Sequence, residues 1–133
     1  MSDELWRLWF QRAKSNLARA ELGRQSSDIL YEDLCFDAQQ AVEKSLKGIM
    51  AFLEMDAPKT HSIGYLLKSI EETGKVQVPE RLKEAAILTD YAVTTRYPGD
   101  WEQIDEAEYK RAVSLAQEVY RWALSLTNQD GEK

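Results

Sequence analysis

The sequence predicts an all-α protein, an antiparallel up-and-down bundle of four to five helices. Three observations carry this prediction. Apolar residues recur at three- and four-residue steps over successive stretches of the chain, the period of a helix with one buried face. Only 3 Pro and 6 Gly interrupt the 133 residues, so long helices are permitted. The one short β-prone link, Lys75 to Val78, has nothing nearby that could pair with it as a sheet.

The first helix is expected from Ser2 to Leu22, with Ser2 as its N-cap and Asp3 and Glu4 where negative charge suits the helix dipole. Trp6, Phe10, Ala13, Leu17 and Ala20 form its core stripe, and Gly23 stops it. The second helix, Tyr31 to Met55, organises the chain. Ala38, Val42, Leu46, Ile49 and Leu53, joined by Leu34, Cys35, Ala41 and Phe52, give it a wide apolar arc. Gln40, Glu43, Lys44 and Lys47 gather on the opposite side at about 100° per residue, with Phe36 among them. One face packs the protein and the other is expected to receive a ligand or partner. Pro58 places the end of this helix near Asp56.

A third helix follows Lys59-Thr60-His61, with Thr60 as expected N-cap, Ile63, Leu66, Leu67 and Ile70 buried, and Gly74 closing it. Pro79 suits the first turn of a fourth, whose stripe is Leu82, Ala85, Ala86, Thr89, Ala92 and Val93. Continued one turn, that stripe brings Arg96 inward, before a turn at Tyr97-Pro98-Gly99-Asp100. Asp105 and Glu108 have capping-box spacing and open a fifth helix to about Asn128. Its apolar band runs from Tyr109 through Ala112, Ala116 and Val119 to Leu124. Leu115, Trp122 and Leu126 widen it enough to predict burial on two sides. The length fits a single domain spanning 1–133.

Composition narrows the function. Hydrophobic residues are 44% and charged residues 30%, a globular rather than a disordered balance. A net charge of −6 excludes a general nucleic-acid coat but leaves room for a local basic pocket. The single Cys, Cys35, falls on an apolar face and forms neither an internal disulfide nor a metal cluster. With no apolar run of spanning length and no signal-like start, the chain is expected to be cytoplasmic and without membrane contact. Glycine-rich phosphate loops, zinc-ligand spacings and Glu-x-x-His pairs are absent, so neither metal nor cofactor is expected.

The candidate site residues are polar groups in unusual places. Arg96 at a helix C-terminus either satisfies the last carbonyls or offers a fixed guanidinium whose fork suits phosphate. His61, at a helix start, has its charged form disfavoured by the dipole and can serve as neutral hydrogen-bonder or base. Glu43 and Lys47 are spaced i,i+4, which also makes them a helix-stabilising pair.

Taken together, the residues Cys35-Phe36-Asp37-Ala38-Gln39-Gln40-Ala41-Val42-Glu43-Lys44-Ser45-Leu46-Lys47, then Lys59-Thr60-His61-Ser62-Ile63 with Leu66-Leu67, Leu88-Thr89-Asp90-Tyr91 and Thr95-Arg96-Tyr97-Pro98, resemble the HEPN domain family. The likeness, to the stand-alone prokaryotic members, covers nearly the whole chain. It implies a helical bundle, a homodimer, and a nucleotide- or RNA-binding module that partners a minimal nucleotidyltransferase. Many members are metal-independent ribonucleases with an Arg followed after four to six residues by His at a dimer cleft. Here no His follows Arg96, and the only imidazole is His61 upstream. The reading is therefore a non-catalytic binding module whose ligand residues are Gln40, Glu43, Lys44, Lys47, His61, Arg96 and Tyr97. The alternative is a metal-independent ribonuclease toxin of a toxin–antitoxin pair, with Arg96 and His61 as its catalytic residues.

Overall fold

The computed structural model describes residues 2–92 and 103–127. Four α-helices and one 3₁₀ helix succeed one another without a strand among them: α1 (Ser2–Glu21), α2 (Tyr31–Phe52), α3 (Ile63–Glu71), the 3₁₀ helix (Glu80–Ala92) and α4 (Glu106–Thr127). The fold is all-α, as predicted. α2 is the hub and touches every other helix. Leu46, Ile49, Met50 and Val42 on α2 are fully buried, as are Ile63, Leu66 and Ile70 on α3 and Val119 on α4.

α1 lies antiparallel along α2. As α1 positions rise the facing α2 positions fall, from Trp9 opposite Lys47 to Arg19 opposite Asp37. Close approach depends on Gly48, because a Cβ there would come within 2.6 Å of Phe10 Cδ1. Gly23 ends α1 at φ +74°. α2 ends in a Schellman motif: the Met55 N–H donates to the Met50 carbonyl (2.8 Å) and the Glu54 N–H to that of Ala51 (2.9 Å). The residue in the left-handed position is Glu54, at φ +62°.

Three expectations change. The fourth helix is 3₁₀; Leu82, Ala85 and Ala92 are buried as predicted, but Leu88 joins them in place of Ala86 and Thr89. Three residues per turn align positions 82, 85 and 88, leaving Ala86 and Thr89 half-buried. The N-cap of α3 is Ser62, whose Oγ accepts the Tyr65 N–H at 3.2 Å; Thr60 Oγ1 instead accepts the Ser62 N–H at 3.1 Å. The band on α4 is buried on one side only, since Val113, Tyr120, Trp122 and Leu126 are half-buried and Leu124 is exposed. Asp105 does cap α4, its Oδ1 accepting the Glu108 N–H at 2.8 Å. Arg96, Tyr97 and the predicted turn after them lie outside the described residues, as do Val93 and Asn128.

Candidate polar site on the central helix

The polar face of α2 is not an open solvent face. Positions 41–51 are all buried except Lys44, which is half-buried, and they include the two charged residues Glu43 (5% exposed) and Lys47 (8%). Glu43 is the centre of a hydrogen-bonded cluster. Its Oε2 accepts from Lys47 Nζ at 2.8 Å, and its Oε1 accepts from Gln39 Nε2 at 2.9 Å. Oε1 also pairs with His61 Nδ1 at 2.9 Å. Gln40 joins through Gln39, its Nε2 donating to Gln39 Oε1 at 2.8 Å. Helical spacing supplies four of these five residues from one element, since 39, 43 and 47 are successive i,i+4 positions and 40 adjoins 39. The fifth, His61, comes from the link that precedes α3.

That link is held in place at several points. Thr60 and Ser62 make the side-chain turns just described, and Thr89 Oγ1, from the 3₁₀ helix, accepts the Ile63 N–H at 3.0 Å. The Ile63 and Tyr65 N–H groups of the first turn of α3 are thereby satisfied, and His61 is fixed opposite Glu43. Burial pushes the Glu43 carboxyl up, but the hydrogen bonds from Lys47, His61 and Gln39 outweigh it and hold the group below the usual carboxylate range. An ionised carboxylate only accepts, so the proton of the neutral imidazole sits on Nδ1. In that neutral form Nε2, on a side chain 66% exposed, is the nitrogen left to accept.

Lys44 belongs to a second network. Its Nζ donates to Asn16 Oδ1 at 2.9 Å, and Asn16 Nδ2 donates to Asp37 Oδ1 at 3.0 Å. Arg19 clamps the same carboxylate, with Nη2 at 2.6 Å and Nε at 3.3 Å. Among the predicted site residues, the structure thus brings together Gln40, Glu43, Lys47 and His61. It sends Lys44 toward α1.

Gln39, Asn16 and Asp37 were missed. The signal for Asn16 was its place between Ala13 and Ala20 on the core stripe of the first helix. Asp37 likewise sits three residues after Leu34 on the apolar side of the second. Cys35 is fully buried and its thiol is pushed up to about 12, chiefly by burial and then by the charge of Glu108, so it is a core residue. Cavities of about 480 Å³ beside Tyr31 and Tyr109 and about 270 Å³ beside Tyr91 and Glu108 contain none of the predicted site residues. Among the described residues no group of three or more His, Cys, Asp or Glu could hold a metal ion, and no helix is long and apolar enough to cross a membrane.

Comparison with known proteins agrees with the fold. The model of the HEPN domain matches residues 6–126. The chain is similar to TT1696 from Thermus thermophilus, with 34% identity and a TM-score of 0.73 over 90% of this chain and 96% of that one. It is also similar in fold to ST0689, an archaeal HEPN homologue, with 23% identity and a TM-score of 0.71 over 91% of this chain and 96% of that one. No curated protein matches.

Proposed function

The chain belongs to the HEPN domain family, and from that premise we propose that it is a cytoplasmic nucleotide- or RNA-binding module, non-catalytic, acting as a homodimer and as partner of a minimal nucleotidyltransferase. The observation that supports the ligand reading is the exposed His61 ring anchored through Nδ1 to a buried carboxylate. A polar group held in one orientation before any ligand arrives loses little entropy on binding. Gln40 and Lys47 stand in the same cluster, and Lys44 adds a cation one turn away. Arg96 and Tyr97 complete the proposed ligand set. Titration with labelled single-stranded RNA and with ATP tests this reading. Binding that weakens at least fivefold in both His61→Ala and Arg96→Ala is expected. Equal binding by the wild type and both variants would remove it.

The same pair of residues favours a second reading, the metal-independent ribonuclease toxin. An imidazole oriented by a carboxylate, with Nε2 outward, is the form of a general base for a ribose 2′-hydroxyl. In that reading Arg96 would stabilise the charge developing on the phosphate. Cleavage of RNA in the presence of a chelator, lost in His61→Ala and in Arg96→Ala, distinguishes it from simple binding.

A further inference from the structure

We propose that Arg12 and Lys44 form a phosphate subsite on the seam between α1 and α2, flanked by Arg19, and that it takes a phosphate of the nucleotide or RNA. The subsite rests on the binding reading above and adds two α1 residues that the reading did not include.

The seam is laid out by the antiparallel packing. Trp9, Arg12, Asn16 and Arg19 occupy one stripe of α1, spaced by three, four and three residues, and span about 15 Å at ~1.5 Å per residue. Across from them on α2 stand Lys47, Lys44 and Asp37, as the contacts Trp9–Lys47, Asn16–Lys44 and Arg19–Asp37 establish. Two buried carboxylates stand nearest Lys44, Asp37 on the seam and Glu43 beside it in the sequence of α2. Each is already occupied. Asp37 accepts from Arg19 and Asn16, and Glu43 from Lys47, Gln39 and His61. Arg19 and Lys47 are thus neutralised at the two ends, and the middle of the seam is not.

Lys44 has only the neutral amide oxygen of Asn16 as a direct partner, and the exposed Arg12 makes no ion pair among the described residues. Lys44 is thus a half-buried cation with no carboxylate in direct contact. The Lys44 ammonium is held below its ordinary range by burial first and then by the charge of Arg12, with Arg19 adding to it and the charges of Glu43 and Asp37 offsetting only part of the effect. An anion between Arg12 and Lys44 would remove that repulsion. A guanidinium fork with an ammonium beside it suits phosphate oxygens. Trp9, half-buried one turn from Arg12 and with Lys47 Nζ 5.8 Å from its ring centroid, adds an aromatic surface at the end of the stripe next to Arg12. Cations beside a ring are the pattern that holds single-stranded nucleic acid, whereas an acidic peptide would use the cations alone.

The experiment titrates wild type, Arg12→Gln, the double variant Arg12→Gln/Lys44→Gln, and His61→Ala with three probes: a labelled hexauridine RNA, ATP, and a poly-glutamate peptide. Binding is followed across a salt series, with circular dichroism as the check of folding. The wild type is expected to bind RNA, ATP or both, and the double variant at least tenfold more weakly. For RNA the slope of log affinity against log salt should flatten by about 1.4, at ~0.7 for each cation lost on a single strand. Binding of RNA without ATP assigns the subsite to a backbone diester, and binding of both assigns it to a terminal phosphate as well. Arg12→Gln, at an exposed position, carries the same test at threefold or more should the double variant unfold. Unchanged affinity in the Arg12 and Lys44 variants, with loss in His61→Ala, overturns the subsite while the binding reading stands. No binding of RNA or ATP by the wild type overturns both. Binding of poly-glutamate alone would make the seam a protein-docking surface and overturn the phosphate assignment.

Discussion

Burial alone would neutralise a carboxyl with 5% exposure, and Glu43 stays ionised because Lys47, His61 and Gln39 donate to it. A carboxyl with a lower pKa in the folded than in the unfolded chain stabilises the fold above its unfolded value, about 4.3. That stabilisation drains as the pH falls through the folded value. The urea midpoint should therefore hold steady from pH 7 to about 5 and then decline. In Glu43→Gln the protein should be weaker by roughly 1–3 kcal/mol at pH 7, because Lys47 loses its charged partner in a buried place. The decline below pH 5 should also be shallower, since one of the groups that drives it is gone. Parallel pH curves for variant and wild type would refute the role given to Glu43. Much of this cluster was legible from spacing, since 40, 43, 44 and 47 fall on one arc. The division of that arc was not. A helical wheel gives directions around one axis and says nothing of which neighbouring element occupies each, so the i,i+4 pair of Glu43 and Lys47 was readable while Lys44 facing Asn16 on α1 was not.

At the level of the helix, two backbone positions separate intrinsic propensity from context. Ala is favoured over Gly in a helix interior by about 1 kcal/mol, so Gly48→Ala would stabilise an isolated α2. Here the added methyl meets the buried Phe10 ring, which also packs edge-on to Trp6 with centroids 5.7 Å apart. Crowding of that kind costs about 1–3 kcal/mol and exceeds the propensity gain, so a net loss in chemical denaturation is expected. Pairing Gly48→Ala with Phe10→Leu should recover part of it, and additive losses would show that the two positions do not meet. Glu54 is the reverse case. Its left-handed backbone strains any L side chain, and Glu54→Gly should raise stability by about 0.5–1 kcal/mol, with the Schellman bonds intact. Helix existence and the core stripes of α1 and α3 were readable from periodicity. The 3₁₀ geometry was not, because Leu82, Ala85 and Leu88 repeat every three residues and fit a period of 3.0 as well as they fit 3.6. Nor was Ser62 as cap, since Thr60 and Ser62 carry the same hydroxyl chemistry and only the chain path decides between them.

For the molecule as a whole, the connections run through α2. It is bounded by α1, α3, the 3₁₀ helix and α4, and Tyr109 on α4 further ties the bundle by donating its hydroxyl to the Ala20 carbonyl of α1 while stacking on Tyr31 of α2. A hub of this kind leaves no element able to keep its buried face once α2 is lost, which predicts one cooperative unfolding transition. Leu46, fully buried near the middle of α2, is the position at which to ask the question. Leu46→Ala should cost about 2–5 kcal/mol from lost burial and the cavity left behind. Tryptophans on α1 and α4 report on two of its neighbours, while far-UV circular dichroism reports on all the helices together. In wild type and variant alike the fluorescence and dichroism transitions should coincide, and the variant's midpoint should move without a change in slope. A fluorescence change that precedes the loss of helix would mean that α1 or α4 leaves the bundle separately. Where it is α1 that leaves, the antiparallel seam carrying Arg12 and Lys44 opens independently of the Glu43 cluster, and the two halves of the proposed ligand surface have different stabilities. Coincident transitions keep them in one rigid frame, which a ligand spanning both requires.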